Sequence, residues 1–221
     1  MLLNDEMIIF APHMDDEVLA CGGFLYDLRV KAEDITEMPY IFYFNTNEHP
    51  ALSKEENKEY DEENTRLLKK LNCYHSTSQY CKMNRLSSVP STKLITEIEE
   101  LINLWKPETI MIPFPSYNQD HRTVFEHCIT ASRIHDKNHY VRNILMYEEP
   151  ETLQTNRVYT QFQPNLFVSI NIEEKLELVK IYKTQLREHR SLDKIRSLAT
   201  VRGMQCNAPY AEAFQVIRMT V

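Results

Sequence analysis

Short apolar runs alternate along the chain with longer segments whose apolar residues recur at helical spacing. Residues 7–10, MIIF, have the length and character of a buried strand, and over 16–32 Val18, Cys21, Leu25 and Leu28 share one helical face. Behind Pro39 the aromatic-rich run 40–44, YIFYF, reads as a second strand. A heavily charged segment over 54–70 keeps Leu67, Leu68 and Leu71 on one side and is expected to be a surface helix with solvated charges. Between 73 and 90 the pattern is weak, with a short strand at 80–82 as a candidate. Leu94, Ile95, Ile98, Leu101, Ile102 and Trp105 then mark a helix that Ser91 could cap, with Trp105 expected in the core. Pro107 ends that helix, and 109–112, TIMI, gives another buried strand. A helix over 123–134 follows, then strands near 141–146 and 165–170, and amphipathic helices over 172–187 and 191–201. The stretch 150–164 reads as a loop or ribbon with few landmarks.

Strands separated by helices imply an α/β fold with a mostly parallel sheet and right-handed crossovers. The chain shows no internal repeat, low-complexity tract or linker, so residues 1–221 are expected to form a single domain.

Composition removes several function classes. No apolar run approaches the roughly 20 residues of a membrane span. A net charge of -7 argues against nucleic acid as the main partner, because phosphate binding needs clustered Lys and Arg. The five cysteines are odd in number and never spaced C-x-x-C, which argues against a disulfide framework and a cysteine zinc site. Three glycines leave no Gly-rich phosphate loop, so a nucleotide cofactor is not expected. The N-terminus lacks the basic region and long apolar core of a secretory signal, and a reduced, cytoplasmic location is the expectation. Oligomeric state is not fixed by the pattern; a homo-oligomer stays open.

Two of the buried strands run into polar loops that carry chemistry. After the first come His13, Asp15 and Asp16. His13 and Asp16 are three apart, so in a helical turn they share a face and can grip one metal ion, with Asp15 nearby but pointing elsewhere. Carboxylates at a helix start also serve as caps and dipole partners, and the cluster alone leaves both readings open. The second loop, 113–123 (PFPSYNQDHRT), has the same construction. In a parallel sheet both loops open on one edge, where His121 would complete a site of two imidazoles and one carboxylate. Three protein ligands with a free position are typical of catalytic zinc, although iron(II) or cobalt(II) suits the same donors.

Other polar residues receive quieter assignments. Asp120 is expected to orient a neighbour or cap the helix. His49, on the turn after the second strand, is a candidate for touching substrate. His127 lies six residues after His121, which turns it away. His75, His135, His139 and His189 have no partner pattern and are assigned to the surface. Cys21 is expected to be a buried small hydrophobe. The segment 210–214 is assigned to packing, although Glu212 could reach the site.

Ala11-Pro12-His13-Met14-Asp15-Asp16-Glu17 resembles the signature of the LmbE-like (PIG-L) deacetylase family, in which His-x-Asp-Asp-Glu follows the first strand. Asn118-Gln119-Asp120-His121-Arg122 resembles the distal metal loop of that family. Weaker matches follow in order: 147–150 (YEEP), 163–167 (QPNLF), Lys175, Tyr182, Arg202-Gly203 and 210–214 (YAEAF). The resemblance thus covers nearly the whole chain. It implies a Rossmann-like three-layer sandwich and zinc-dependent removal of an acyl group, usually acetyl, from an N-acylated amino sugar or glycoconjugate. His13, Asp16 and His121 match the metal ligands, and Asp15 matches the general base. A helix N-terminus behind Asp15 is expected to hold it ionised. Two positions depart from the pattern. The family places a His where Asn118 stands, and many members place an Arg where Tyr60 stands, ahead of Glu63.

Two function classes stay open. One is a zinc-dependent amidase for N-acyl amino sugars, with Asn118 near the oxyanion or leaving group. The other is a catalytically degenerate metal- and carbohydrate-binding protein on the same scaffold. Asp15 separates them, because a degenerate binder has little reason to keep an unligated base. Hydrolysis of a different amide or ester is a third, weaker reading.

Overall fold

A computed structural model describes residues 6–45, 52–80, 85–136, 138–155 and 161–220. His49 and positions 81–82 of the strand candidate lie outside the described residues. In chain order the elements are β1 (Met7–Ala11), α1 (Asp16–Lys31), β2 (Tyr40–Tyr43), α2 (Lys54–Leu71), β3 (His75–Thr77), α3 (Ser91–Trp105) and β4 (Thr109–Pro113). They continue with α4 (Gln119–Ala131), β5 (Asn143–Tyr147), the single turn α5 (Thr152–Thr155), β6 (Leu166–Ser169), α6 (Ile172–Val179), α7 (Leu192–Cys206) and β7 (Ala211–Arg218).

Among the described residues the strands form one seven-stranded sheet in the order β3-β2-β1-β4-β5-β7-β6. β1 to β5 pair in parallel, while β7 runs antiparallel between β5 and β6. Side chains of β1 alternate between two cores. Ile9 packs with residues of α1, α2, α6 and α7 on one face, and Ile8 and Phe10 pack with α3 and α4 on the other. This is the three-layer α/β sandwich expected from the sequence. Its strand order places the functional loops: the chain leaves β1 toward β2 and β3, then returns to β4 on the other side of β1. That reversal opens a crevice at the carboxyl ends of β1 and β4, where open α/β sheets bind ligands.

Several boundaries differ from the sequence pattern, each for a local reason. α4 begins at Gln119, four residues before the expected start, because the Asn118 side chain caps it by accepting the Asp120 N–H at 2.9 Å. Ser91 is the first helical residue of α3, and the cap position is Pro90. Trp105 is not buried; the residue is 36% exposed, and its ring lies tilted against Tyr40 with centroids 4.4 Å apart. α2 is less solvated than its charges suggest, since Tyr60, Glu63 and Asn64 are buried with its leucines. The helix expected over 172–187 stops at Val179 and gives way to two 3-10 turns, Lys183–Gln185 and Glu188–Arg190. Of the segment assigned to packing, Ala211 to Phe214 open strand β7, with Ala213 and Phe214 in the two cores.

Candidate metal centre

The β1–α1 loop builds the first half of the site. His13 follows β1 by two residues, and Asp15 takes a backbone φ of 131°, a region L-residues rarely adopt. The turn at His13 is therefore not helical. His13 and Asp16 meet instead because the His13 N–H donates to Asp16 Oδ2 at 2.8 Å, and His13 Nδ1 lies 3.2 Å from the same oxygen. Glu17, fully buried, accepts the Asp15 N–H at 3.1 Å, and its Oε1 lies 3.1 Å from the Tyr182 hydroxyl oxygen. Burial pushes its carboxyl up to about 8. The Tyr60 hydroxyl donates to the Met14 carbonyl and ties α2 to the loop.

The second half comes from the first turn of α4. His121 Nε2 lies 3.3 Å from Asp16 Oδ2 and 3.3 Å from His13 Nδ1. Three donor atoms thus form a nearly equilateral triangle and make up the buried group His13, Asp16 and His121, which could hold a metal ion. A tetrahedral ion with bonds of about 2.0–2.1 Å has donor–donor edges of roughly 3.3–3.4 Å, which the edges of this triangle match. Each imidazole also has a carboxylate near its outer nitrogen. Asp120 Oδ2 is 3.3 Å from His13 Nε2, and Glu149 Oε1 is 3.6 Å from His121 Nδ1. Such partners fix ring orientation and raise ligand basicity. Asp120 is itself held by the Leu86 N–H and the Asn45 amide.

The electrostatics follow from burial among like and unlike charges. Burial opposes protonation of His13, but Asp16 and Asp120 outweigh it and push the imidazole up to about 10. Burial likewise favours a neutral Asp16, but His121 and His13 outweigh it and hold that carboxyl well below the usual carboxylate range. Asp15 behaves differently. Burial pushes it up to about 7, against the opposing pull of Arg190. Desolvation thus acts on Asp15 in the opposite sense to the helix N-terminus behind it.

A cavity of about 270 Å³ opens over the triangle. Its walls carry His13, Asp15, Asp16, Asn118 and His121 together with Tyr60, Ser116, Tyr117, Glu149, Glu151, Gln154, Gln185, Arg187, His189 and Arg190. Asn118 lines it, with its Oδ1 engaged in capping α4. Glu212 does not reach it; its carboxylate accepts the Gly23 and Phe24 N–H groups and pairs with Lys175 at 2.7 Å. His189 is exposed, as assigned from sequence, and also stands at the cavity wall, 3.4 Å from Glu151. Glu149 and the 185–190 wall were not foreseen. Glu149 follows β5 at the same carboxyl edge, a position that strand pattern could have flagged. Arg190 carries no such signal, because 3-10 turns place it.

The chain belongs to the PIG-L (GlcNAc-PI de-N-acetylase) family, whose model matches residues 8–132. A search of curated proteins finds no match. Solved structures share the fold at low identity. N,N'-diacetylchitobiose deacetylase from Pyrococcus horikoshii aligns with a TM-score of 0.76 at 18% identity, over 99% of this chain and 87% of that one. The zinc-inhibited form of teicoplanin deacetylase Orf2 gives 0.72 at 14%, over 96% and 98%. GalB, the 4-carboxy-2-hydroxymuconate hydratase from Pseudomonas putida, gives 0.72 at 15%, over 98% of each.

Proposed function

We propose that the chain is a metal-dependent hydrolase that removes an acyl group, acetyl in the simplest case, from an N-acylated amino sugar or glycoconjugate. The observation that carries this reading is the zinc-sized donor triangle with a buried carboxylate, Asp15, beside it and outside it. Because the same fold also serves a hydratase, the choice of amide chemistry leans on the family match and on the deacetylases among the similar structures.

His13, Asp16 and His121 would hold the ion, with zinc the best fit to the donor set. When bound, it would polarise the amide carbonyl and acidify the attacking water. Asp15 takes the proton of that water and returns it to the leaving amine, and a carboxyl raised to about 7 by burial is suited to both transfers. Asp120 keeps the His13 imidazole turned toward the centre, and Glu149 stands 3.6 Å from Nδ1 of His121. Asn118 can offer its amide N–H to the developing oxyanion, a neutral donor where the family places an imidazole. Tyr60, Tyr117, Gln154 and Gln185 give the cavity the mixed aromatic and hydrogen-bonding wall that suits a sugar ring. A degenerate binder is disfavoured because the unligated Asp15 is kept, buried and charge-paired.

Acetate release from a panel of N-acetyl amino sugars tests the reading. Zinc-loaded native chain is expected to turn over at least one of them. Asp15→Asn should lower kcat by at least about 100-fold while still binding zinc stoichiometrically. Failure of the native chain to release acid from any N-acyl sugar would sink the proposal.

A further inference from the structure

Asp15 and Asp16 are sequence neighbours at the start of α1, yet the fold treats them in opposite ways. Asp16 turns into the donor triangle, whereas Asp15 Oδ2 accepts from Arg190 Nη1 at 3.1 Å. Arg190 arrives from a 3-10 turn on the far side of the cavity, and its side chain is only 13% exposed. Its Nη2 donates to Gln185 Oε1 at 3.0 Å, and Glu151 Oε1 lies 3.7 Å from Nη1. That wall is anchored in turn, because the Thr184 hydroxyl donates to the buried Glu63 at 2.5 Å. The planar guanidinium is thus held between Gln185 and Asp15, a fork that an ammonium cannot reproduce.

A carboxylate that lines the same cavity as a three-donor site is a candidate fourth ligand. Were it to bind, the open position would close, which is the arrangement of structural zinc. We propose that Arg190 is a positioning residue that keeps Asp15 out of the coordination sphere and so preserves the open position. The inference rests on the metal-dependent reading above, although not on which acyl compound is cleaved.

The test uses cobalt(II) as an absorbing substitute ion and azide as a probe of the open position. In the native chain azide should shift the cobalt spectrum. In Arg190→Gln the spectrum should already differ before azide is added, and azide should bind at least 10-fold more weakly, because Asp15 has joined the metal. Adding Asp15→Gly to Arg190→Gln should restore both the native spectrum and the azide response, while also restoring the local charge balance. Arg190→Lys, which keeps the charge but not the fork, should fall between native and Arg190→Gln, and it serves if the glutamine variant fails to fold. A native-like spectrum and azide affinity in both Arg190 variants overturns the proposal, as does a change that persists after Asp15→Gly. A native chain that takes up no cobalt overturns the metal reading as well. Full agreement in these arms with no acyl release would leave Arg190 assigned and only the substrate reading lost.

Discussion

His13 carries a carboxylate near each ring nitrogen, Asp16 at Nδ1 and Asp120 at Nε2. Burial disfavours a charged ring, but the two acids outweigh it and raise the pKa to about 10, so without metal His13 is cationic at neutral pH. A metal must expel that proton to use Nδ1. Zinc affinity of the metal-free chain is therefore expected to strengthen with rising pH, by up to about tenfold per unit between pH 6 and 8. Calorimetric titrations in buffers of different ionisation enthalpy would measure the proton released, and a pH-independent affinity would contradict this account. At this scale the triangle was legible because its residues sit on two loops of identical construction. Arg190 was not, since nothing about an exposed-looking Arg in a basic stretch reveals that 3-10 turns carry it to Asp15.

Glu212 on β7 binds two elements into one unit. Its carboxylate accepts N–H groups of Gly23 and Phe24 in the middle of α1 and pairs with Lys175 of α6, whose Nζ also donates to the Ala20 carbonyl at 3.3 Å. Removing one partner strands a buried charge, so Glu212→Ala is expected to cost about 3–5 kcal/mol in urea unfolding. Glu212→Leu combined with Lys175→Met should cost less than the sum of the single changes. The same pair explains why β7 was hard to see. An inward-facing glutamate breaks the apolar alternation that marks a strand, and only its distant lysine makes that position tolerable. α6 misled in the opposite sense. Its apolar rhythm continues through Ile181 and Tyr182, but Tyr182 donates to Asn64 and Thr184 to Glu63, and those tertiary contacts end the helix. The strands β1, β2 and β4 were legible because they are buried on both faces and read as unbroken apolar runs.

Across the whole molecule, the donor set exists only when β1 and β4 lie side by side, because Asp16 and His121 are far apart in the chain. A metal held by these donors would thus link its binding to formation of the sheet centre. Zinc at about 100 times its dissociation constant should stabilise the native chain by about 2.7 kcal/mol, raising Tm by roughly 5–10 °C. His121→Ala should abolish that rise, and a zinc-induced shift surviving in the variant would refute the ligand set. Position 15 has the backbone geometry of a glycine while holding an aspartate. Glycine there should therefore be more stable than alanine by about 1–2 kcal/mol, the reverse of the order seen in helices. Both substitutions discard the same carboxylate, so comparing their urea midpoints isolates the backbone contribution. The side chain at this position is kept against local sterics, and a change to glycine would leave His13, Asp16 and His121 in place while removing the carboxylate that the proposed reaction uses as its base.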